Sequence, residues 1–445
     1  MKKDFTNIST YQEFIEYIKS FSEYQYLTRT LSKDFLQRIN ETQNMGDFYT
    51  TKMISKKAGG NRELAIPIEE LKHLQKALLG VLKKYQRLSI RKSKWSSNYD
   101  YISPAFKSIK IGSHNKFYVN KLDLKNRHTK GIPSHVVHAS HHTNKKLVIT
   151  FDFENFFTTI RPNRIRGIFK GYFKFSDFVC TLLTSITTHF KVGLPQGAPT
   201  SPYLSNLATY EFDKAFHKEC KKLGIYYSRY ADDVALSTNN YSVLYNNSIF
   251  SEKPKNGKRL QFCDYLNNLL EQNHLTIKGS KTRVMSYWNR QVVTGIVVNK
   301  KISIGKDELV RARSVLINIG KTLTILDYRM GIIAVDKQIK KFYDEYQLRN
   351  SHEEELQTIR DDNERSLCML CIALLTIHSL IEYYSQVMPT NSKLIKIKEL
   401  YNSIQYNLFY NKNYRHIIIK NNHLFKFNLH SFPIFLIEKL NFQSH

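Results

Sequence analysis

The sequence predicts an α+β fold, in which helices surround a small antiparallel sheet. Apolar residues recur with helical spacing in several segments, most regularly in residues 69–85. Short runs rich in β-branched and aromatic residues, bounded by turn formers, indicate strands at residues 147–153, 225–230 and 234–237. No long linker rich in Gly, Ser or Pro divides the chain, so we expect one body with several lobes.

Charge and composition narrow the class of protein. The 445 residues include 67 basic and 38 acidic side chains, a formal charge of +29, and 42% of the residues are hydrophobic. A chain this apolar can bury a core, which excludes disordered and collagen-like polymers. The surplus of positive charge indicates a polyanionic partner, with nucleic acid first and an anionic membrane surface second.

Several features predict a cytoplasmic location. The N-terminal residues contain no apolar run, so no secretory signal is expected. The apolar stretch 367–381 is shorter than a bilayer span, and we interpret it as a buried helix. Five scattered cysteines are typical of a reducing compartment. Cys368 and Cys371 form a CxxC on the apolar stretch, where core packing is favoured over zinc binding.

The N-terminal third predicts helices, a hairpin and a basic surface. Residues 11–44 have helical periodicity, and residues 49–68 predict a hairpin with the basic tip K-K-A-G-G-N-R at 56–62. A helix follows at 69–85. Residues 83–130 then interleave cations with aromatic rings, the composition of a groove for single-stranded nucleic acid, although an ordinary solvated surface is an equal alternative.

The middle of the chain contains the candidate chemistry. The apolar strand 147–153 ends near a carboxylate, Asp152, where a buried strand should not carry one. A helical segment at 175–190 leads into the breaker-rich loop 193–202, and then into one long helix to Lys222 with Gly224 as its C-cap.

Asp232 and Asp233 lie at the tip of the next predicted hairpin. Side chains alternate on extended backbone, so both carboxylates reach one site only through a tight turn. With Asp152 they would form an all-oxygen site that suits Mg²⁺, and two such ions can drive phosphoryl transfer. These residues predict a polymerase or nuclease; an isolated Asp-Asp pair is otherwise ordinary turn chemistry.

The motifs together resemble those of reverse transcriptases over residues 49–304. The matching segments are V-I-T-F-D-F-E-N-F-F at 148–157, G-L-P-Q-G-A-P-T-S-P at 193–202, Y-A-D-D at 230–233, L-T-I at 275–277, K-T at 281–282, and the basic tip followed by I-P at 66–67. V-T-G at 293–295 and V-V-N at 297–299 resemble the retron-type branch. His138 replaces the Asn of the retron NAxxH block, so the defence-associated and abortive-infection enzymes of bacteria are a competing branch.

The resemblance implies a right-hand polymerase with fingers, palm and helical thumb, plus a mostly helical C-terminal extension. The expected divisions are an N-terminal helical segment 1–48, fingers with a basic insertion 49–145, a palm 146–304 that is helical over 166–192, a thumb 305–360, and the extension 361–445. That extension could bind structured RNA, supply a priming hydroxyl, or only pack against the thumb.

The resemblance also implies roles for single residues. Asp152, Asp232 and Asp233 would be catalytic, and with the carbonyl of Phe153 would bind two Mg²⁺ ions, or Mn²⁺. Residues implied to bind the deoxynucleoside triphosphate (dNTP) are Lys57, Arg62, Phe157, Gln196, Gly197 and Lys281. Phe157 would exclude a 2′-hydroxyl, and Lys281 would protonate pyrophosphate. Thr294, Gly295, Arg311 and Arg313 would contact primer and template.

The implied function is an RNA-directed DNA polymerase that copies a cognate non-coding RNA, serves antiphage defence and works with an effector protein. Its partners would be that RNA, the DNA product and dNTPs, without a membrane. The alternatives are a defence-associated enzyme that makes untemplated or protein-primed DNA, an inactive RNA-binding scaffold, and an RNA-dependent RNA polymerase. Neither the template nor the oligomeric state follows from the sequence.

Overall fold

A computed structural model gives the architecture. It describes residues 5, 7–21, 31, 33–41, 45–55, 61–92, 135–189, 191–244, 249–252, 261–328, 341, 356–410, 416–418 and 420–421. The chain forms two compact units, Met1–Lys301 and Ile302–His445. The five-part division into lobes stays a prediction, and most of the basic stretch 83–130 lies outside the described residues.

The first unit begins with helices and the predicted hairpin. Its elements are α1 (Tyr11–Lys19), α2 (Lys33–Glu41), β1 (Tyr49–Ser55), β2 (Asn61–Pro67) and α3 (Glu69–Lys92). A capping box between Thr10 and Glu13 starts α1. The hairpin pairs Tyr49 with Pro67. The single helical segment expected over 11–44 is at least two helices, and α3 runs seven residues past its predicted end.

The remaining elements of the first unit include a four-stranded sheet and the helices that surround it. They are α4 (His135–Ser140), β3 (Leu147–Asp152), α5 (Phe156–Thr159), α6 (Pro162–Gly171), α7 (Asp177–Thr187), α8 (Ser201–Ala208), α9 (Tyr210–Lys222), β4 (Tyr226–Tyr230), β5 (Asp233–Thr238), β6 (Phe250–Glu252), β7 (Gln261–Phe262), α10 (Asp264–Gln272), β8 (Arg283–Ser286), β9 (Val292–Val293) and β10 (Ile296–Val297). The sheet is antiparallel, as expected, and its strand order is β4-β5-β3-β8.

The helix expected to run unbroken to Lys222 is divided at Thr209. There φ is −98° and ψ is 8°, outside helical values, although backbone bonds still join Thr209 to Ser205 and Asp213. The prediction that Gly224 ends this helix is confirmed. Its φ is +66°, and the N–H of Ile225 donates to the carbonyl of Cys220 at 2.8 Å.

Phenylalanine rings fill much of the core behind the sheet. Phe151, Phe153 and Phe156 are almost completely buried and lie against α9 through the ring of Phe212. Fixing these rings fixes the end of β3, where Asp152 lies. The buried phenylalanines of this segment therefore determine where the carboxylate of Asp152 lies.

The second unit is helical, with α11 (Lys306–Tyr328), α12 (Asp362–Val387) and α13 (Ser392–Tyr410) packed against one another. The 26 residues of α12 overturn the prediction that the apolar stretch is too short to cross a membrane; 56% of its most apolar window is buried inside the protein. Cys368 and Cys371 pack in the core as predicted, and burial raises the pKa of Cys368 to about 12.

Candidate active site

The three aspartates meet at one end of the sheet. Asp152 ends β3 and lies directly opposite Asp233, the first residue of β5. Asp232 precedes it in the two-residue loop between β4 and β5, and its carbonyl accepts a hydrogen bond from the N–H of Phe153 at 3.0 Å. The predicted clustering of these carboxylates is therefore present.

A strained residue makes the turn tight enough. Ala231 has φ +53°, the left-handed region that residues with a Cβ avoid at a cost of about 1–2 kcal/mol. This conformation reverses the chain within two residues and places Asp232 beside the end of β3. The carbonyl of Ala231 is held at 2.7 Å by the guanidinium of Arg229.

Arg229 is completely buried and connects the turn to the helices behind it. Its Nε and one terminal nitrogen donate to the two carboxylate oxygens of Asp213 at 2.9 and 2.5 Å. The same terminal nitrogen donates to Asn206 and Thr209. The hydroxyl of Tyr227 donates to Asp213 at 2.5 Å. The turn that carries Asp232 is thus anchored on α8 and α9 by a buried ion pair.

The loop after α10 closes the other side of the site. The N–H of Glu154 donates to the carbonyl of Thr276 at 2.7 Å, and the N–H of Lys278 donates to the carbonyl of Asp152 at 2.8 Å. These bonds bring the Lys281 ammonium into contact with the carboxylate of Asp152, and this contact raises the pKa of Lys281. The sequence predicted Lys281 at the dNTP, and its role there stays a prediction.

Crowding of carboxylates changes the acidity of the site. Burial, followed by the charges of Asp232 and Asp152, raises the pKa of Asp233 to about 7. Like charges held this close disfavour full ionisation. A cation that neutralised them would restore the ionised form.

The donor set fits a hard divalent cation. Asp152, Asp232 and Asp233 offer only oxygen atoms, the ligands that Mg²⁺ prefers. Among the described residues, however, no group of three His, Cys, Asp or Glu side chains is already arranged around one metal position. Which metal binds, how many ions bind, and whether the carbonyl of Phe153 contributes all stay predictions.

A small cavity of about 130 Å³ joins four of the predicted residues. Its lining is Phe157, Pro195, Gln196, Gly197, Ser201, Pro202 and Asp232. Phe156 packs in the core while Phe157 is only partly buried and faces this cavity. The position of Phe157 beside the cavity is compatible with the predicted contact with the sugar, which stays a prediction.

Two glycines shape the loop that lines the cavity. Gly197 has φ +110° with open space where a Cβ would lie, so its backbone can approach a ligand. Gly193 has φ +80°, and a Cβ there would lie 2.8 Å from the carbonyl oxygen of Ile160. Crowding requires glycine at position 193, and positive φ favours glycine at both positions.

The V-T-G segment forms the tip of the β9–β10 hairpin. Thr294 and Gly295 both have positive φ, +46° and +82°, as in a type I′ turn. The Thr294 hydroxyl donates to the carbonyl of His135 at 3.2 Å. The hairpin is therefore fixed to α4; primer contacts at its tip stay a prediction.

Histidines of α4 and its following turn lie beneath the sheet. His142 hydrogen-bonds the hydroxyls of Ser237 at 2.8 Å and Ser228 at 2.7 Å, and Ser228 also bonds His138 at 2.9 Å. Burial lowers the pKa of His138 to about 3 and holds the pKa of His142 well below its usual range. His138 and His142 are thus neutral residues packed against the sheet.

For four predicted residues, a position at this site stays a prediction. Lys57 and the side chain of Arg62 lie outside the described residues. Arg311 and Arg313 lie on α11 of the second unit. Their contacts with dNTP, primer or template stay predictions.

From the sequence we did not identify the buried pair Arg229 and Asp213, or Ser228 and Ser237, the serines that bond His142. The available signal was an arginine that alternates inward with Tyr227 on an apolar strand, and an aspartate beside Phe212 on the inner face of a helix. Two opposite charges on two buried faces indicate a buried pair.

Comparisons with known proteins agree with this geometry. The family model described as reverse transcriptase (RNA-dependent DNA polymerase) matches residues 54–315, more than half of the chain. Retron Ec86 reverse transcriptase of Escherichia coli is 28% identical over 206 residues, 45% of this chain and 59% of that protein. Retron Mx65 reverse transcriptase of Myxococcus xanthus is 25% identical over 284 residues, 60% of this chain and 55% of that protein.

The chain spans less than two thirds of the length of these two relatives. Among solved structures, telomerase from Candida tropicalis in complex with a TWJ fragment of telomeric RNA aligns with a TM-score of 0.37 at 12% identity, over 85% of this chain and 64% of that one, too weakly to add to the assignment. The family match and the aspartate site agree with the predicted right-hand polymerase fold. The chain belongs to the reverse transcriptase (RNA-dependent DNA polymerase) family, and it is of the bacterial retron type.

Proposed function

We propose that this protein is an RNA-directed DNA polymerase that copies a cognate non-coding RNA into DNA. The observation that carries the proposal is the position of Asp232. It lies in the aspartate cluster with Asp152 and Asp233, and it also lines the cavity formed by Phe157 and Gln196. One residue therefore joins a site for phosphate chemistry to a site for a nucleotide.

In the proposed reaction a 3′-hydroxyl attacks a deoxynucleoside triphosphate and pyrophosphate leaves. Two Mg²⁺ ions, held by Asp152, Asp232 and Asp233, would activate the attacking oxygen and stabilise the leaving one. Phe157 orients the sugar through its ring, and Gln196 with Gly197 supports the nucleotide from the loop. Lys281, beside Asp152, supplies positive charge and a proton for the leaving group.

The test compares wild-type protein with the double variant Asp232→Asn and Asp233→Asn. Amides keep the size of the side chains and remove their charge, so we expect Mg²⁺-dependent dNTP incorporation on an RNA template to disappear while thermal unfolding stays cooperative. The control is Asp177→Asn, an exposed aspartate that pairs with Arg166 and Lys170. Incorporation by the double variant at the wild-type rate would refute the mechanism.

The cellular part of the proposal is antiphage defence in the cytoplasm, with the non-coding RNA and an effector protein as partners. It rests on the retron relatives, whose names state only that they are retron reverse transcriptases. Plaque counts on cells that carry the whole locus, with wild-type protein or the double variant, test it. Equal plaque counts for the two would remove the defence role and leave the polymerase proposal intact.

A further inference from the structure

The end of the four-stranded sheet remote from the aspartates carries a group of cations, all but Lys145 exposed, around one exposed indole. We call it the Trp288 patch; its members are Lys145, Lys146, Trp288, Arg290, Lys300 and Lys301. Leu147 pairs with Ser286 at this end of the sheet, and Asp152 lies five residues further along β3. At about 3.3 Å per residue, the patch begins roughly 17 Å from the aspartates.

Trp288 is held outward by a rigid loop. Its side chain is 87% exposed, an unusual position for a ring this large. The carboxamide of Asn299 donates to the carbonyls of Tyr287 at 3.1 Å and Asn289 at 2.8 Å, one on each side of Trp288, and accepts from the N–H of Gln291 at 2.9 Å. The exposure of the indole therefore comes from a fixed loop.

Backbone hydrogen bonds join this loop to two neighbouring loops, and all three loops carry cations. The N–H of Asn144 lies 3.2 and 3.1 Å from the carbonyls of Val298 and Asn299, and the N–H of Tyr287 donates to the carbonyl of Lys146 at 2.8 Å. Lys145 and Lys146 are thus placed beside the loops that carry Arg290, Lys300 and Lys301. No Asp or Glu occurs in residues 135–151 or 275–306, so these two segments carry a net positive charge.

We propose that the Trp288 patch binds single-stranded nucleic acid, with one base stacked on the indole and adjacent phosphates on the cations. An exposed aromatic ring among cations is how proteins hold single strands without reading their sequence. The patch lies away from the aspartates, so it can hold a segment of the RNA or of the product while the other end of the sheet polymerises. It is a second nucleic-acid site, independent of the proposed catalytic one.

The small number of tryptophans makes the test direct. The chain contains two, Trp95 and Trp288, so a Trp95→Phe variant leaves the patch as the only source of indole fluorescence. We expect oligouridylate of ten nucleotides to quench this emission saturably. In a binding assay with the labelled oligomer, Trp288→Ala should weaken affinity at this site about 5- to 150-fold, the effect of losing one stacked base.

Charge variants separate the patch from general electrostatics. Reversing Arg290, Lys300 and Lys301 to Glu in the Trp95→Phe background should move the quenching midpoint to higher concentration. It should also lower the slope of log affinity against log salt by about 2, or 0.7 for each lost phosphate contact. The matched control reverses Lys214, Lys218 and Lys221 on α9, the same change in net charge, and should leave the midpoint in place.

Three results would overturn the proposal: no quenching by the oligomer, equal shifts from the patch and α9 variants, or a response to phosphatidylglycerol vesicles with none to the oligomer. Incorporation on a short primer–template should be unchanged in Trp288→Ala, because the patch is remote from the aspartates. Loss of the patch is thereby distinguished from failure of the polymerase proposal.

Discussion

The buried guanidinium of Arg229 should control the activity of the aspartates that it does not touch. It donates five hydrogen bonds: two to Asp213, one each to Asn206 and Thr209, and one to the carbonyl of Ala231. Lysine at this position keeps the charge but concentrates its donors at one atom. It cannot reach the Asp213 carboxylate and the Ala231 carbonyl together.

The expected losses follow from those bonds. Arg229→Lys should lower the free energy of unfolding by about 1.5–3 kcal/mol, the contribution of one charge-assisted hydrogen bond. Arg229→Met leaves Asp213 buried without its counter-ion and should lower it by about 3–5 kcal/mol. A domain with a total of about 5–15 kcal/mol survives the first change more safely than the second.

The effect on catalysis should exceed the effect on folding. Without its anchor, the Ala231 carbonyl no longer holds a left-handed turn, and a displacement of Asp232 by about 1 Å can cost about 10²-fold in rate. We expect kcat per folded Arg229→Lys molecule to fall by about that factor, with a smaller change in KM for dNTP. Urea unfolding and single-nucleotide incorporation, normalised by active-site titration, measure the two quantities.

A rescue and a control complete the test. Ala231→Gly adopts positive φ without strain, so adding it to Arg229→Lys should restore part of the lost rate. Arg164→Lys removes another partly buried guanidinium. That guanidinium donates to the carbonyls of Asn273 at 2.5 Å and Ala208 at 2.6 Å, and neither residue belongs to the turn between β4 and β5. This substitution should lower stability only. Wild-type kcat in folded Arg229→Lys, or equal losses in Arg164→Lys, would refute the reasoning.

Three further experiments test separate parts of the first unit. Phe157→Ala should lower discrimination against ribonucleotides by up to about 100-fold in competitive incorporation, and unchanged discrimination would exclude its role at the sugar. His138 and His142 are held neutral, so only the unfolded chain gains their protons below pH 6.5. Stability should fall by about 2 kcal/mol per histidine at pH 5, and urea unfolding of the His138→Gln, His142→Gln double variant should show a flatter pH dependence. Gly193→Ala places a Cβ 2.8 and 2.9 Å from two carbonyl oxygens at φ +80° and should lower the melting temperature, whereas Gly171→Ala, in open space on a helix, should not.

Features with a short period along the chain could be predicted from the sequence. Asp152 ends an apolar strand, and Asp232 and Asp233 follow another, so strand alternation and a short turn suffice to bring them together. Gly224 marks the end of α9 because a left-handed residue is needed there. These inferences use neighbours within a few residues.

Features that depend on distant partners could not be predicted in this way. Arg229 needs Asp213, 16 residues earlier on a helix, and no local pattern names that partner. The division at Thr209 occurs where its hydroxyl accepts from Arg229 at 2.6 Å, so the buried pair and the helix break belong together. The true length of α12 was missed because the prediction covered only the apolar stretch 367–381, whereas the helix continues through polar residues on both sides of it.

Backbone strain at the site explains why these distant partners matter. Asn155, Ala231 and Thr294 have φ of +48°, +53° and +46°, values that cost about 1–2 kcal/mol each without glycine. Each is held through its backbone or side chain: Asn155 accepts the hydroxyl of Thr158, Ala231 accepts Arg229, and Thr294 donates to α4. At Ala231 this strain lies directly beside Asp232 and is offset by the buried hydrogen bond from Arg229. A substitution that weakens one of these bonds should release the local strain and displace the aspartates before the fold is lost, so activity should be more sensitive than stability to changes in the supporting network.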